Sequence, residues 1–170
     1  MQEVNLVINF EKPYYFAGEN IKGNIEINLN SKIAISGISI KIDLIEYWKL
    51  KNNSENRSNY TIFFLDLNLK SFEQQINNSS KYIFPAGITI LPFNIDFTAN
   101  DCSSFECKKT EFNAYIEYIF NVTVHSYHII GYKVSKSSSL LFKSGPYIKS
   151  ERKLIESVNQ TICFMKEKLL

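Results

Sequence analysis

Residues 82–124 read YIFPAGITILPFNIDFTANDCSSFECKKTEFNAYIEYIFNVTV, and two parts of this stretch alternate with a period of two. Phe93, Ile95 and Phe97 fall on one side, with Asn94, Asp96 and Thr98 on the other. Farther along, Phe112, Ala114, Ile116, Tyr118, Phe120, Val122 and Val124 alternate with Asn113, Tyr115, Glu117, Ile119, Asn121 and Thr123. Successive side chains of a strand point to opposite faces of its sheet, so each segment predicts a strand with one buried face. Two such strands with polar outer faces need a second sheet against their apolar side. The pattern predicts an all-β, two-sheet antiparallel β-sandwich.

Composition agrees with a single domain. A chain of 170 residues buries roughly 70% of the surface its unfolded form exposes, so neither zinc nor a disulfide is needed to stabilise it. An apolar fraction of 45% argues against wholesale disorder. A net charge of +2 and a pI of 8.3 fall short of the clustered basic face of a nucleic-acid binder. The tight pair Lys108–Lys109 reads as a solvated loop. The first residues, MQEVNLVINFEK, have no basic n-region and no apolar h-region. No apolar run approaches the ~20 residues that cross a bilayer, and the chain reads as cytosolic. Cys102, Cys107 and Cys163 are then expected as free thiols. Asn-x-Ser/Thr triplets at Asn52, Asn56, Asn59, Asn77, Asn78, Asn121 and Asn159 read as chance matches in an Asn- and Ser-rich chain.

Elsewhere the same alternation predicts strands over residues 4–10, 21–29 and 33–50. Ile38, Ile40, Ile42 and Leu44 are expected inward, with Ser39, Lys41 and Asp43 outward. Residues 49–59 and 71–81 read as polar loops. Residues 60–69 are dense in apolar side chains on both faces, so this segment is expected either to be covered on both sides or to carry a contact surface. Residues 127–134 and 139–143 are expected as return strands. Eight or nine short strands separated by turn residues leave no room for βαβ crossovers. The period changes at residue 150. Leu154, Ile155, Val158, Ile162, Met165 and Leu169 recur at helical spacing after the potential cap Ser150. The expected division is a sandwich over residues 1–148 and a tail over 149–170.

Punctuation carries a resemblance. Pro13-Tyr14-Tyr15-Phe16-Ala17-Gly18-Glu19-Asn20-Ile21-Lys22-Gly23 is similar to the P-x-Y-x-x-G-E-x-V-x-G signature of arrestin-like domains. The strand through Ile40 to Trp48 resembles that family's I-x-I-x-L-x-G-x-x-x-x-W segment. Phe84-Pro85-Ala86-Gly87, then Leu91-Pro92-Phe93, then Ser103-Ser104-Phe105-Glu106, follow the order L-P-A-G, F-P-F, P-S-S-F-E. Gly18 and Gly23 flank a strand start where close backbone approach or positive φ is expected, and Gly87 suits the left-handed position of a turn. The resemblance implies an immunoglobulin-like arrestin N-terminal sandwich. It also offers a second account of the tail, as the opening strand of a further lobe.

What the resemblance implies about function is a non-catalytic adaptor. Its partners would be cytoplasmic tails of membrane proteins and trafficking machinery, with recruitment to endosomal or plasma membrane, no nucleic acid and no cofactor. Lys12 and Lys22 occupy the neighbourhood where phosphate-sensing arrestins place basic residues. A lysine lacks the bidentate fork of arginine, and solvated lysines are the plainer reading. Pro13, Gly18, Glu19, Gly23, Trp48, Pro85, Gly87, Pro92, Phe93, Ser104 and Phe105 are expected to serve the fold. Cys102, Cys107, His125 and His128 make a nominal metal set, but positions i and i+3 of a strand face opposite ways, so no metal is expected. No nucleophile elbow, phosphate loop or dinucleotide fingerprint occurs. Phe64-Leu65-Asp66-Leu67-Asn68 loosely resembles a clathrin box and is expected to pack in the core, and without adjacent prolines there is no PPxY motif. Two other readings stay open. One is a structural subunit resembling the arrestin-fold component of retromer. The other is a small-ligand or carbohydrate-binding sandwich in an oxidising compartment.

Overall fold

The computed structural model describes residues 4–16, 18–51, 54–76, 79–97, 103–126 and 133–143. Twelve strands run through these residues: β1 Val4–Phe10, β2 Tyr15–Phe16, β3 Ile21–Leu29, β4 Ile33–Leu50, β5 Glu55–Asp66, β6 Glu73–Ile76, β7 Ser79–Phe84, β8 Gly87–Ile95, β9 Phe105–Lys109, β10 Phe112–Ser126, β11 Lys133–Leu140 and β12 Phe142–Lys143. A 3₁₀ turn, Lys70–Phe72, precedes β6. The small sheet is ordered β1-β3-β8 and the large one β11-β10-β4-β7-β6, with β5 added to β4 and β9 to β10. A short parallel pair, β12 with β2, ties the end of the domain to its beginning.

The two sheets face each other as the alternation requires. On β10 the residues Ala114, Tyr118, Phe120, Val122 and Val124 are buried, and on β4 so are Ile35, Ile38, Ile40 and Ile42. Against them the small sheet sets Leu6, Ile21, Ile25, Ile27, Leu29, Leu91, Phe93 and Ile95. Aromatic rings fill the interlayer. The Phe120 centroid lies 5.1 Å from both Phe10 and Phe93, and Phe142 lies 4.7 Å from Tyr118. Phe120 and Phe142 are essentially inaccessible to solvent, and burial of such side chains is the dominant stabilising term.

Several boundaries differ from the sequence expectation. The polar segment 49–59 is mostly strand: β4 runs to Leu50, β5 resumes at Glu55, and the Leu50 amide donates to the Ser54 carbonyl at 2.8 Å. Polar side chains are compatible with a hairpin here because both faces of it meet solvent, while backbone pairing with β4 supplies the order. The expected loop 71–81 contains the 3₁₀ turn and the β6–β7 hairpin. Lys108 and Lys109 lie on β9, held by the ladder with β10, and Lys108 is paired with Glu106. On the return path β11 runs unbroken through residues 135–138, which were expected to separate two return strands, and β12 follows at Phe142–Lys143. Residues 127–132, the expected tail helix and Cys102, His128 and Cys163 lie outside the described residues.

Ser39 and Asp43, expected outward in solvent, are both buried at 6% exposure. They do lie on the outer face, but neighbouring strands cover them. Asp43 accepts from Thr61 Oγ1 on β5 at 2.9 Å and from Asn121 Nδ2 on β10 at 3.0 Å, and Lys41 Nζ stands 3.0 Å away. Ser39 Oγ is 3.1 Å from His125 Nε2. The band continues onto β11, where Ser137 donates to Asn121 Oδ1 and Ser139 to Glu117. A buried carboxylate persists only with such partners.

Candidate functional site

Strand β5 hydrogen-bonds to β4 and, among the described residues, to no other strand. Its other edge therefore offers backbone donors and acceptors to solvent. Proteins usually blunt such edges with charge, proline, a β-bulge or a covering segment. Here β9 carries Lys108 and Lys109, β11 carries Lys133 and Lys136, β8 carries Pro92, and β1 lies against β11. By contrast, β5 has no charged residue from Ser58 to Leu65. Along that interval Tyr60 is 50% exposed and Phe64 60%, with Ile62 and Leu65 also open to solvent.

The segment is thus not covered on both sides, and Phe64 and Leu65 do not pack in the core as expected. Phe63 and Leu67 alone among its neighbours lean partly on the core cluster, and Leu69 is buried. Of the two expectations for residues 60–69, the contact surface is the one consistent with this exposure. Thr61 anchors the middle of the strand through Asp43. Between Ile42 and Asp43 the register shifts, because Phe63 stands opposite Ile42 and Thr61 opposite Asp43. Ile62 is the extra residue of a β-bulge, a device that re-aims side chains at sheet edges.

The basic candidates lie elsewhere, on the turn after β1 and on β3. Lys12 Nζ is 3.0 Å from Glu19 Oε1 and 5.9 Å from the Tyr15 ring centroid. Its charge is balanced inside its own turn. The Lys12 hydrogen bond, helped by the Phe16 amide donating to Glu19 Oε2 at 3.1 Å, holds the Glu19 carboxyl below its ordinary range. Lys22 is exposed on β3 opposite Asn94, while its carbonyl accepts from the Tyr15 hydroxyl at 2.7 Å. These contacts organise the turn, and Lys22 is left as the freer cation of the two.

Cys107 and His125 are not brought together. Cys107 stands opposite Ala114 near the start of β10 and His125 near its end, eleven residues farther on, which is roughly 35 Å along a strand. Among the described residues no group of three or more His, Cys, Asp or Glu side chains is placed to hold a metal ion. No helix among them is long and apolar enough to cross a membrane.

The family model described as Arrestin (or S-antigen), N-terminal domain, matches residues 4–144. The chain belongs to the arrestin family. Spo0M, a sporulation control protein from Bacillus subtilis, shares the fold with a TM-score of 0.62 at 16% identity, over 92% of this chain. This chain spans 55% of the length of Spo0M. A search of curated proteins finds no match.

The arrestin punctuation now has physical causes. Gly18 takes φ +81° and Gly87 φ +99°, a region that disfavours every residue with a Cβ. At Gly23 a Cβ would overlap the Asn9 carbonyl oxygen and the Phe93 ring. Glu19 closes the Pro13–Gly18 turn, and Pro92 sits on the edge strand β8, where a missing donor is tolerated. Ser104 Oγ accepts the Phe142 amide at 3.0 Å, while its own amide donates to the Phe142 carbonyl at 2.8 Å. Phe93 is buried; Trp48 is half-buried opposite Ala114, and Phe105 is 46% exposed. Pro85 lies in the turn before Gly87. Sequence reasoning left open whether residues 60–69 are covered or carry a contact surface, and the uncharged run from Ser58 to Leu65 was the available signal for an open β5 edge.

Proposed function

We propose that this arrestin-family domain is a non-catalytic adaptor that binds cytoplasmic tails of membrane proteins in endocytic or endosomal traffic. An extended tail would add to the large sheet at β5, its backbone completing the ladder and its alternate side chains meeting Tyr60, Ile62, Phe64 and Leu65. The observation that carries this reading is the β5 edge, which pairs with no strand but β4 among the described residues and is uncharged from Ser58 to Leu65, with Tyr60, Ile62, Phe64 and Leu65 open to solvent. Lys22 would supply at most a weak preference for acidic or phosphorylated cargo. Lys12 contributes little, because Glu19 already neutralises it.

The test is affinity capture from detergent-solubilised membranes with the native chain and with the Tyr60→Lys/Phe64→Lys variant. Both changes are on exposed positions, so the variant is expected to fold. The adaptor reading requires membrane proteins with cytoplasmic tails to be enriched by the native chain and lost with the variant. Recovery of no membrane protein, or equal recovery by both, contradicts it.

A further inference from the structure

Resting on the reading of β5 as a recognition edge, we propose that this edge also pairs with the β5 of a second copy of the chain, so that self-association regulates access to it. The bulge at Ile62 makes the strand self-complementary. From the pairing with β4, Tyr60 shares the inner face with Leu44, Phe63 with Ile42 and Leu65 with Ile40, while Arg57 shares the outer face with Tyr47, Phe64 with Lys41 and Asp66 with Ser39. Without the extra residue, Tyr60 and Phe63 would point opposite ways.

Antiparallel pairing about a two-fold axis between Thr61 and Ile62 sets Tyr60 opposite Phe63, Asn59 opposite Phe64, Ser58 opposite Leu65 and Arg57 opposite Asp66. Every one of these pairs joins residues of the same face. A one-residue slip sets inner side chains against outer ones. A two-residue slip loses the Arg57–Asp66 pairs, of which the symmetric register makes two. Both residues are exposed in the single chain, and in the pair the apolar side chains between them become cross-strand neighbours. The result is one continuous sheet across two copies, with both small sheets on the same side. Charge, face and symmetry select the same register.

Sedimentation velocity of the full chain over a concentration series reads the assembly directly. The expected result is a shift from the 19.7 kDa monomer to a species of twice that mass. Arg57→Asp alone, or Asp66→Arg alone, replaces attraction with repulsion at both ends and raises the dimer Kd by roughly ten- to a hundredfold. The double variant Arg57→Asp/Asp66→Arg restores the pair and returns the Kd to near its native value. A monomer at every concentration, or a dimer unchanged by both single variants, overturns the proposal. Capture of membrane-protein tails by the monomeric Arg57→Asp variant is a separate readout, so the cargo reading and the dimer fail independently.

Discussion

Asn121 Nδ2 donates to Asp43 Oδ2 at 3.0 Å, joining two residues 78 positions apart across the boundary between β10 and β4. Thr61 completes the arrangement from β5, so one carboxylate fastens three adjacent strands and holds β5 to the sheet. Replacing Asp43 with Ala removes the acceptor shared by the half-buried Asn121 amide and the exposed Thr61 hydroxyl. The expected loss is about 2–3 kcal/mol, read from urea unfolding. Lys41→Ala removes a half-exposed ammonium from the same carboxylate and should cost about 1 kcal/mol or less.

The core prediction separates packing from recognition. Phe120→Ala empties the centre of the aromatic cluster and should cost about 3–5 kcal/mol. Phe64→Ala, at 60% exposure, should change stability by less than about 0.5 kcal/mol while weakening tail capture. Equilibrium unfolding and affinity capture on the same two variants check the separation.

Glycines differ by cause. Gly23→Ala forces a Cβ into the Asn9 carbonyl and should prevent or severely weaken the β1–β3 pairing. Gly87→Ala has free space but retains φ +99°, for which about 1–2 kcal/mol is expected. Gly37→Ala meets neither obstacle and should be close to neutral. Thermal unfolding of the three variants should rank them in that order.

Acid sensitivity should show the Glu19 clasp. The folded-state pKa of Glu19 lies below 4.5, first because of the Lys12 hydrogen bond and then the Phe16 amide. A depressed carboxylate adds stability that is present above its unfolded pKa and lost as pH falls through the folded one. Stability measured from pH 6 downward should therefore decline less steeply below about pH 4.5 in Glu19→Gln than in the native chain. Identical slopes would exclude a clasp of any consequence.

Legibility in the sequence followed local physics. The β10 alternation was readable because one of its faces is buried along most of its length and the other is largely polar. Gly18, Gly23 and Gly87 were readable because backbone geometry at each excludes a side chain. The β4–β5 hairpin and β9 were not, because strands wet on both faces show no alternation and depend on pairing with distant residues. The β2–β12 pair joins Tyr15 to Phe142 through two residues on each side, too short to leave a pattern. Asp43 looked like an ordinary outer-face acid because its partners Thr61 and Asn121 come from other strands. At the site, the apolar density of residues 60–69 was visible, but whether anything covered it depended on where β7 leaves β4. It pairs with Ile33–Ile35 and continues no farther along the β5 side.

Amide hydrogen exchange of the native chain, with and without a saturating panel of cytoplasmic-tail peptides at protein concentrations where it is monomeric, is the most direct test of edge recognition. The account predicts new protection concentrated in β5, between Ser58 and Asp66. Protection confined to another edge, or none anywhere, would contradict it.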